Sequence, residues 1–172
     1  KLTAFGPNTT GVALTEPTTM QFMKQVFDIG ELFDAARDAA AVRTAYGQIF
    51  AAENGYRGGK FTPELALQDT FDTAYRIAQV SFAAAPEDGR DGLLDAGRKQ
   101  IESHLVGVRF RREEMKIAAA KAATLRRATC GSQIPIPRSL HAVHAVFRSL
   151  SGRDEAAPAR TRNQTGKERE CM

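Results

Sequence analysis

The sequence predicts an all-α protein: a bundle of about four to five helices, one of them long and basic, with an extended N-terminal arm and a flexible C-terminal tail. Three observations predict it. Apolar residues recur at three- and four-residue spacing over four separate segments. Nothing alternates in the two-residue manner of a strand for long enough to build a sheet. Helix-stopping glycines and a helix-starting Thr-Pro-Glu fall at the joints between segments. At 172 residues the chain has length for one domain with tails and for a sizeable core.

Residues 1–18, which open "KLTAFGPNTTGVALTEP", are expected to form an extended arm. Proline and glycine interrupt every apolar run there, so neither helix nor strand can propagate. The helical domain is expected over 19–150. In "MQFMKQVFDIG" a stripe of Met20, Met23, Val26 and Phe27 forms, with Gly30 as the expected stop. A second helix continues from Glu31 with Leu32, Ala36, Ala39, Val42, Tyr46, Ile49 and Phe50, and ends at Asn54-Gly55, where a left-handed C-cap is tolerated. After the glycine-rich "YRGGKF", Thr62-Pro63-Glu64 begins a third. The threonine hydroxyl caps free amides, proline fits the first helical position, and glutamate favours the positive end of the helix dipole. Its stripe is Leu67, Phe71, Ala74, Tyr75, Ala78 and Phe82, closed by Pro86 and "EDGRDG".

A long helix is expected from about Asp91 to Thr129 on Leu94, Ile101, Leu105, Val108, Met115, Ala119, Ala122 and Leu125, with Gly131 as its stop. Unbroken, it would reach nearly ~60 Å at ~1.5 Å per residue. Gly107 is its weakest point, since glycine costs about 1 kcal/mol in a helix interior. Ile134-Pro135-Ile136-Pro137 must be extended. A short helix on Leu140, Val143, His144 and Phe147 follows, and then a basic tail over 151–172, expected to be disordered in isolation.

Composition narrows the function classes. No apolar run approaches the ~18 residues that span a bilayer, so a soluble or peripheral protein is expected. The opening Lys1 suggests a processed or trimmed start, and no signal peptide is evident. Cys130 and Cys171 are too few and too far apart for a disulfide framework and are expected as free thiols. The Asn8-Thr9-Thr10 and Asn163-Gln164-Thr165 triplets match the glycosylation pattern only as chance does. The net charge of +4 is split: residues 1–90 carry 8 basic and 11 acidic side chains, residues 91–172 carry 16 and 9. A basic half points to an acidic partner, or else to a solvated charged face.

No local signature of catalysis emerges. In "EDGRDGLLDAGR" a calcium loop would need a carboxylate where Arg98 stands. "NGYRGGK" lacks the glycine spacing and lysine–hydroxyl pair of a phosphate loop. His141 and His144 share one helix side but lack further ligands, and neither His104 nor Cys130 supplies them. Arginines near Cys130 would lower its pKa, yet no histidine–acid pair accompanies it. No metal, no cofactor and no enzymatic activity are therefore expected.

The candidate site is the segment "RFRREEMKIAAAKAATLRRATCG", residues 109–131. Its cations Arg109, Arg111, Arg112, Lys116, Lys121, Arg126 and Arg127 are assigned to partner binding, seven positive charges against Glu113 and Glu114. The alanines between them permit close helix approach, and the stripe Met115, Ala119, Ala122, Leu125 is expected to meet an acidic protein partner. Nucleic acid is the second reading, with Arg109, Arg111, Arg112, Arg126 and Arg127 on phosphates, but only Phe110 supplies an interleaved aromatic. A small helical enzyme or ligand-binding protein without a recognisable motif is the third.

"AVRTAYGQIF", residues 41–50, resembles the phycobilisome linker helix that reads approximately A-x-Y-R-Q-I/V-F, with Gly47 in place of the central arginine. "GGKFTPELALQDTFDTAYRIA" is loosely similar to the stretch that follows in those linkers. The resemblance covers about 40 of the 172 residues. It implies a colourless basic scaffold threading between acidic light-harvesting antenna proteins, with a plastid as the implied organelle.

Overall fold

A computed structural model describes residues 1–80 and 89–129, together with Ala145. Two single-turn 3-10 helices, Leu2–Ala4 and Glu16–Thr18, precede α1 (Thr19–Ala35), α2 (Ala39–Tyr56), α3 (Pro63–Gln79), α4 (Gly89–Glu102) and α5 (Arg112–Thr129). The fold is all-α, with no strand among the described residues. Cys130, Gly131, the Ile134–Pro137 stretch, the short helix with His141 and His144, Phe82, Pro86, Cys171 and the 151–172 tail lie outside those residues.

The core forms around α5, which packs against α1, α2 and α3 and the first 3-10 turn. Met115, Ala118, Ala119, Ala120, Ala122, Ala123 and Leu125 are all buried, so apolar contact surrounds most of this helix. Small side chains make that possible. Gly30 of α1 lies so near Ala118 that a Cβ on it would stand 3.0 Å from the Ala118 Cβ. The expected stop at Gly30 is therefore absent: the helix needs a hydrogen there for close packing and runs on to Ala35. The joint falls instead at 36–38, where the Asp38 carboxylate accepts the Ala40 N–H at 2.8 Å and starts α2. The inward face of α1 is Phe22, Met23, Val26, Ile29 and Phe33. Met20 is 38% exposed, so the face is turned by about one position from the expected stripe.

The other joints keep closer to the pattern. Thr62 accepts the Leu65 N–H at 3.2 Å, with Pro63 and Glu64 in the first turn of α3. The Asn54 side chain exchanges two hydrogen bonds with the Phe61 backbone, at 2.7 and 3.0 Å, and closes the glycine connector after α2. The segment expected as one helix from Asp91 to Thr129 is two. Gly107 takes φ +73°, a left-handed conformation that no helix interior contains, and α4 stops at Glu102.

The N-terminal segment, expected as an arm, folds back onto the bundle. Leu2 and Phe5 are buried, and the Phe5 ring lies 6.1 Å from that of Phe22. Proline and glycine do preclude regular structure here. A side chain 60 residues away supplies the missing hydrogen bonds: the buried Asp69 carboxylate accepts the Asn8 backbone N–H at 2.8 Å, its side-chain amide at 2.7 Å and the Thr9 hydroxyl at 2.9 Å. Arg57 adds a bond to the Thr10 carbonyl at 2.6 Å.

Candidate protein-docking site

Residues 103–111, "SHLVGVRFR", join α4 to α5 and hold two arginines, one histidine and no carboxylate. Both ends of this turn are fixed. Phe110 is buried and meets Phe27 edge-on, with ring centroids 5.3 Å apart. Arg98, itself buried, donates to the Phe110 carbonyl at 3.4 Å, to Glu102 at 2.8 Å and to Asp95 at 3.1 Å. Glu114 accepts the Arg111 backbone N–H at 2.9 Å and so caps the start of α5. Between these anchors the left-handed Gly107 turns the chain outward. Val106 is 96% exposed and Val108 49%, and Arg109 and Arg111 stand exposed beside them. His104 lies at the base, its Nδ1 2.8 Å from the Gln100 carbonyl.

Asp95 is the electrostatic hub beneath the turn. Burial alone would raise its pKa, but hydrogen bonds and charge from Lys99 and Arg98 outweigh burial and hold the carboxyl below its ordinary 3.8. Arg112 approaches it at 3.5 Å from the first turn of α5. A carboxyl with a depressed folded-state pKa stabilises the fold above its unfolded value, and that stabilisation is lost as pH falls through the folded value. Acid unfolding should therefore steepen below about pH 4, and Asp95→Asn should be less stable near neutrality and flatter in this range. Equal acid slopes for the two proteins in a urea titration series would contradict the assignment.

The seven cations assigned to partner binding are not equivalent in the fold. Arg109 and Arg111 occupy the exposed turn, outside any helix. Arg112 pairs with Asp95. Lys121 pairs with Asp34 at 2.6 Å and lies over the Phe33 ring. Arg126 donates to Gln68 at 3.1 Å and stacks over Phe71. Lys116 and Arg127 are half-buried on the flanks of α5. The stripe expected to meet a partner, Met115, Ala119, Ala122 and Leu125, packs inside the chain's own core.

A second feature had no signal in the sequence. The C-terminal half of α1, the middle of α2 and the N-terminal turn enclose an apolar groove of about 370 Å³, lined in part by Ile29, Leu32, Val42, Tyr46, Ile49 and Leu125. Leu32 is 46% exposed and Ile49 50%. Helical spacing placed both on buried stripes, and only the three-dimensional gap between α1 and α2 distinguishes a groove wall from a core face. Lys1 is also in the groove lining and pairs with Asp28 of α1; elsewhere on α1, Asp34 pairs with Lys121 and Glu31 is exposed.

A second cavity, about 360 Å³, holds the polar groups Asn8, Thr15, Asp72, Arg76 and Arg90. Arg76 is engaged by Asp91 at 3.1 Å, and Gln68 donates to Asp72 at 2.8 Å. The acids of the calcium-like stretch that are described, Asp91 and Asp95, are likewise ion-paired. Among the described residues no three His, Cys, Asp or Glu side chains cluster as metal ligands would. No helix there is long and apolar enough to cross a membrane.

Fold and surface together define a helical bundle that presents an anchored cationic turn at one place and an apolar groove at another. No protein-family model matches the chain, and no curated protein or solved structure matches it significantly.

Proposed function

We propose that this chain is a non-enzymatic structural subunit that binds acidic protein partners within a larger assembly. The observation that carries the reading is the turn at 103–111: two exposed valines beside Arg109 and Arg111, no carboxylate within the turn itself although Glu114 accepts the Arg111 N–H from α5, and a base held by Phe110 and Arg98. A pre-ordered apolar tip ringed by cations loses little entropy on docking and is steered by acidic surfaces. The short resemblance to phycobilisome linkers makes acidic antenna proteins of a light-harvesting complex the first partners to seek.

The reading is tested by reversing Arg109 and Arg111 to glutamate. Both are exposed and lie outside the helices, so the helical circular dichroism signal should remain. Recovery of native partners from extracts should fall steeply, on the order of tenfold or more, and the salt dependence of binding should flatten. Unchanged recovery would remove the turn from the interface. Lys121 and Arg112 are poor choices for the same test, because reversing them breaks pairs with Asp34 and Asp95 within the chain.

A further inference from the structure

We propose that Asn54-Gly55, in the last turn of α2, is a deamidation site that the fold holds closed, and that its conversion releases the connector between α2 and α3.

An asparagine followed by glycine is especially prone to this reaction, because glycine has no side chain to hinder its backbone nitrogen. The Gly55 nitrogen, once hydroxide has taken its proton, bonds to the Asn54 Cγ. The Cγ–Nδ2 bond breaks, and the former amide leaves as ammonia with a proton from water. A cyclic imide remains. Water then adds across one of its C–N bonds. One opening gives aspartate; the other gives isoaspartate, in which the main chain runs through the old side chain. The net change is a water consumed and an ammonia released.

The folded chain blocks the first bond. Reaching it requires the Asn54 carboxamide to swing onto the following nitrogen. Here the carboxamide is engaged elsewhere: Nδ2 donates to the Phe61 carbonyl at 2.7 Å, and Oδ1 accepts the Phe61 N–H at 3.0 Å. The backbone is fixed as well. The Asn54 carbonyl accepts the Arg57 N–H at 3.0 Å and the Gly59 N–H at 2.8 Å, and Gly55 itself lies within α2. Attack therefore waits for a local opening that breaks these bonds.

The products do not fit the folded connector. In the aspartate an acceptor oxygen replaces the Nδ2 donor opposite the Phe61 carbonyl, so two acceptors meet with no proton between them. The new charge also falls in the last turn of a helix, the end that disfavours anions. Isoaspartate instead inserts an extra backbone carbon into that turn. Arg57, next in the chain after Tyr56, holds the N-terminal segment through the Thr10 and Gly11 carbonyls, at 2.6 and 3.2 Å. Loosening of the connector reaches that segment too. A chain that stays open long enough to react is thereby marked, and returns to a weaker fold.

The experiment follows Asn54 in the full chain at mildly alkaline pH by peptide mass mapping, folded in buffer and unfolded in guanidinium. The unfolded chain should gain aspartate and isoaspartate at this position. The folded chain should gain them at least roughly tenfold more slowly, since two side-chain hydrogen bonds must break first. Gly55→Ala supplies the chemical control. No atom lies within 4 Å of a Cβ built on Gly55, so the variant should fold as wild type does, yet react more slowly when unfolded. Asn54→Asp represents one product, and its thermal midpoint should fall by about 2–8 °C. Trypsin should also cut it faster after Arg57 and Lys60, both exposed in the connector. Equal rates in the folded and unfolded chain, no reaction at Asn54 in either, or an Asn54→Asp protein that melts with wild type would each overturn the inference. The wild-type rates carry the test by themselves if Asn54→Asp does not fold.

Discussion

Ala119→Glu is expected to abolish the cooperative fold. Ala119 has no solvent exposure and sits midway along the helix that α1, α2 and α3 surround. A carboxylate placed there loses its hydration, at an effective penalty of several kcal/mol, and the added volume costs a further ~1–3 kcal/mol. A domain of ordinary stability has only about 5–15 kcal/mol in hand. The thermal transition followed by circular dichroism should lose its cooperativity, whereas Arg111→Glu on the exposed turn should stay within about 0.5 kcal/mol of wild type. The comparison also decides where the alanine stripe points. Were Ala119→Glu to melt like wild type and lose only its partners, the stripe would belong to an intermolecular contact.

Phe5→Ala should destabilise the chain by about 3–5 kcal/mol, the range for removing a buried aromatic ring. Phe5 is fully buried against Phe22, in a segment whose composition suggests a loose end. In chemical denaturation the midpoint should drop with the slope unchanged, since the same surface is exposed on unfolding. A change below about 1 kcal/mol, the level of an ordinary substitution, would mean that the N-terminal segment is a detachable arm. Asp69→Asn provides a second view of the same docking: it keeps the shape of the clamp but removes the charge and turns one of its two accepting oxygens into an NH2 donor, so at least one of the three hydrogen bonds is lost.

Some of this was legible from local pattern alone. Thr62-Pro63-Glu64 starts α3 as its chemistry requires, because capping involves only residues within four positions of one another. Gly107 was visible as a weak point, and its left-handed φ turned weakness into a break. Gly30 misled for the reverse reason: a glycine inside a helix is a stop in one context and a packing notch in another, and Ala118, far along the chain, decides between them. The clamp of Asp69 on Asn8 and Thr9 was invisible, since nothing in either segment announces the other. For the site, arginine identity was legible but not availability. Arg109 and Arg111 stay exposed while Lys121 and Arg126 turn back onto the fold, and partners such as Asp34 and Gln68 lie too distant in sequence to be read from spacing.

The placement of the first 3-10 turn has a consequence for the order in which the protein is made. Leu2–Ala4 touches α5, whose last described residue is Thr129. A ribosome adding ~5–20 residues per second needs roughly 6–25 s to travel from Phe5 to that point. Throughout that interval Phe5 and Phe22 lack the helix around which the core closes. Long-range closure of this kind slows folding and leaves apolar surface open to other chains. The segment around Phe5 must wait for α5 to emerge before it can be buried.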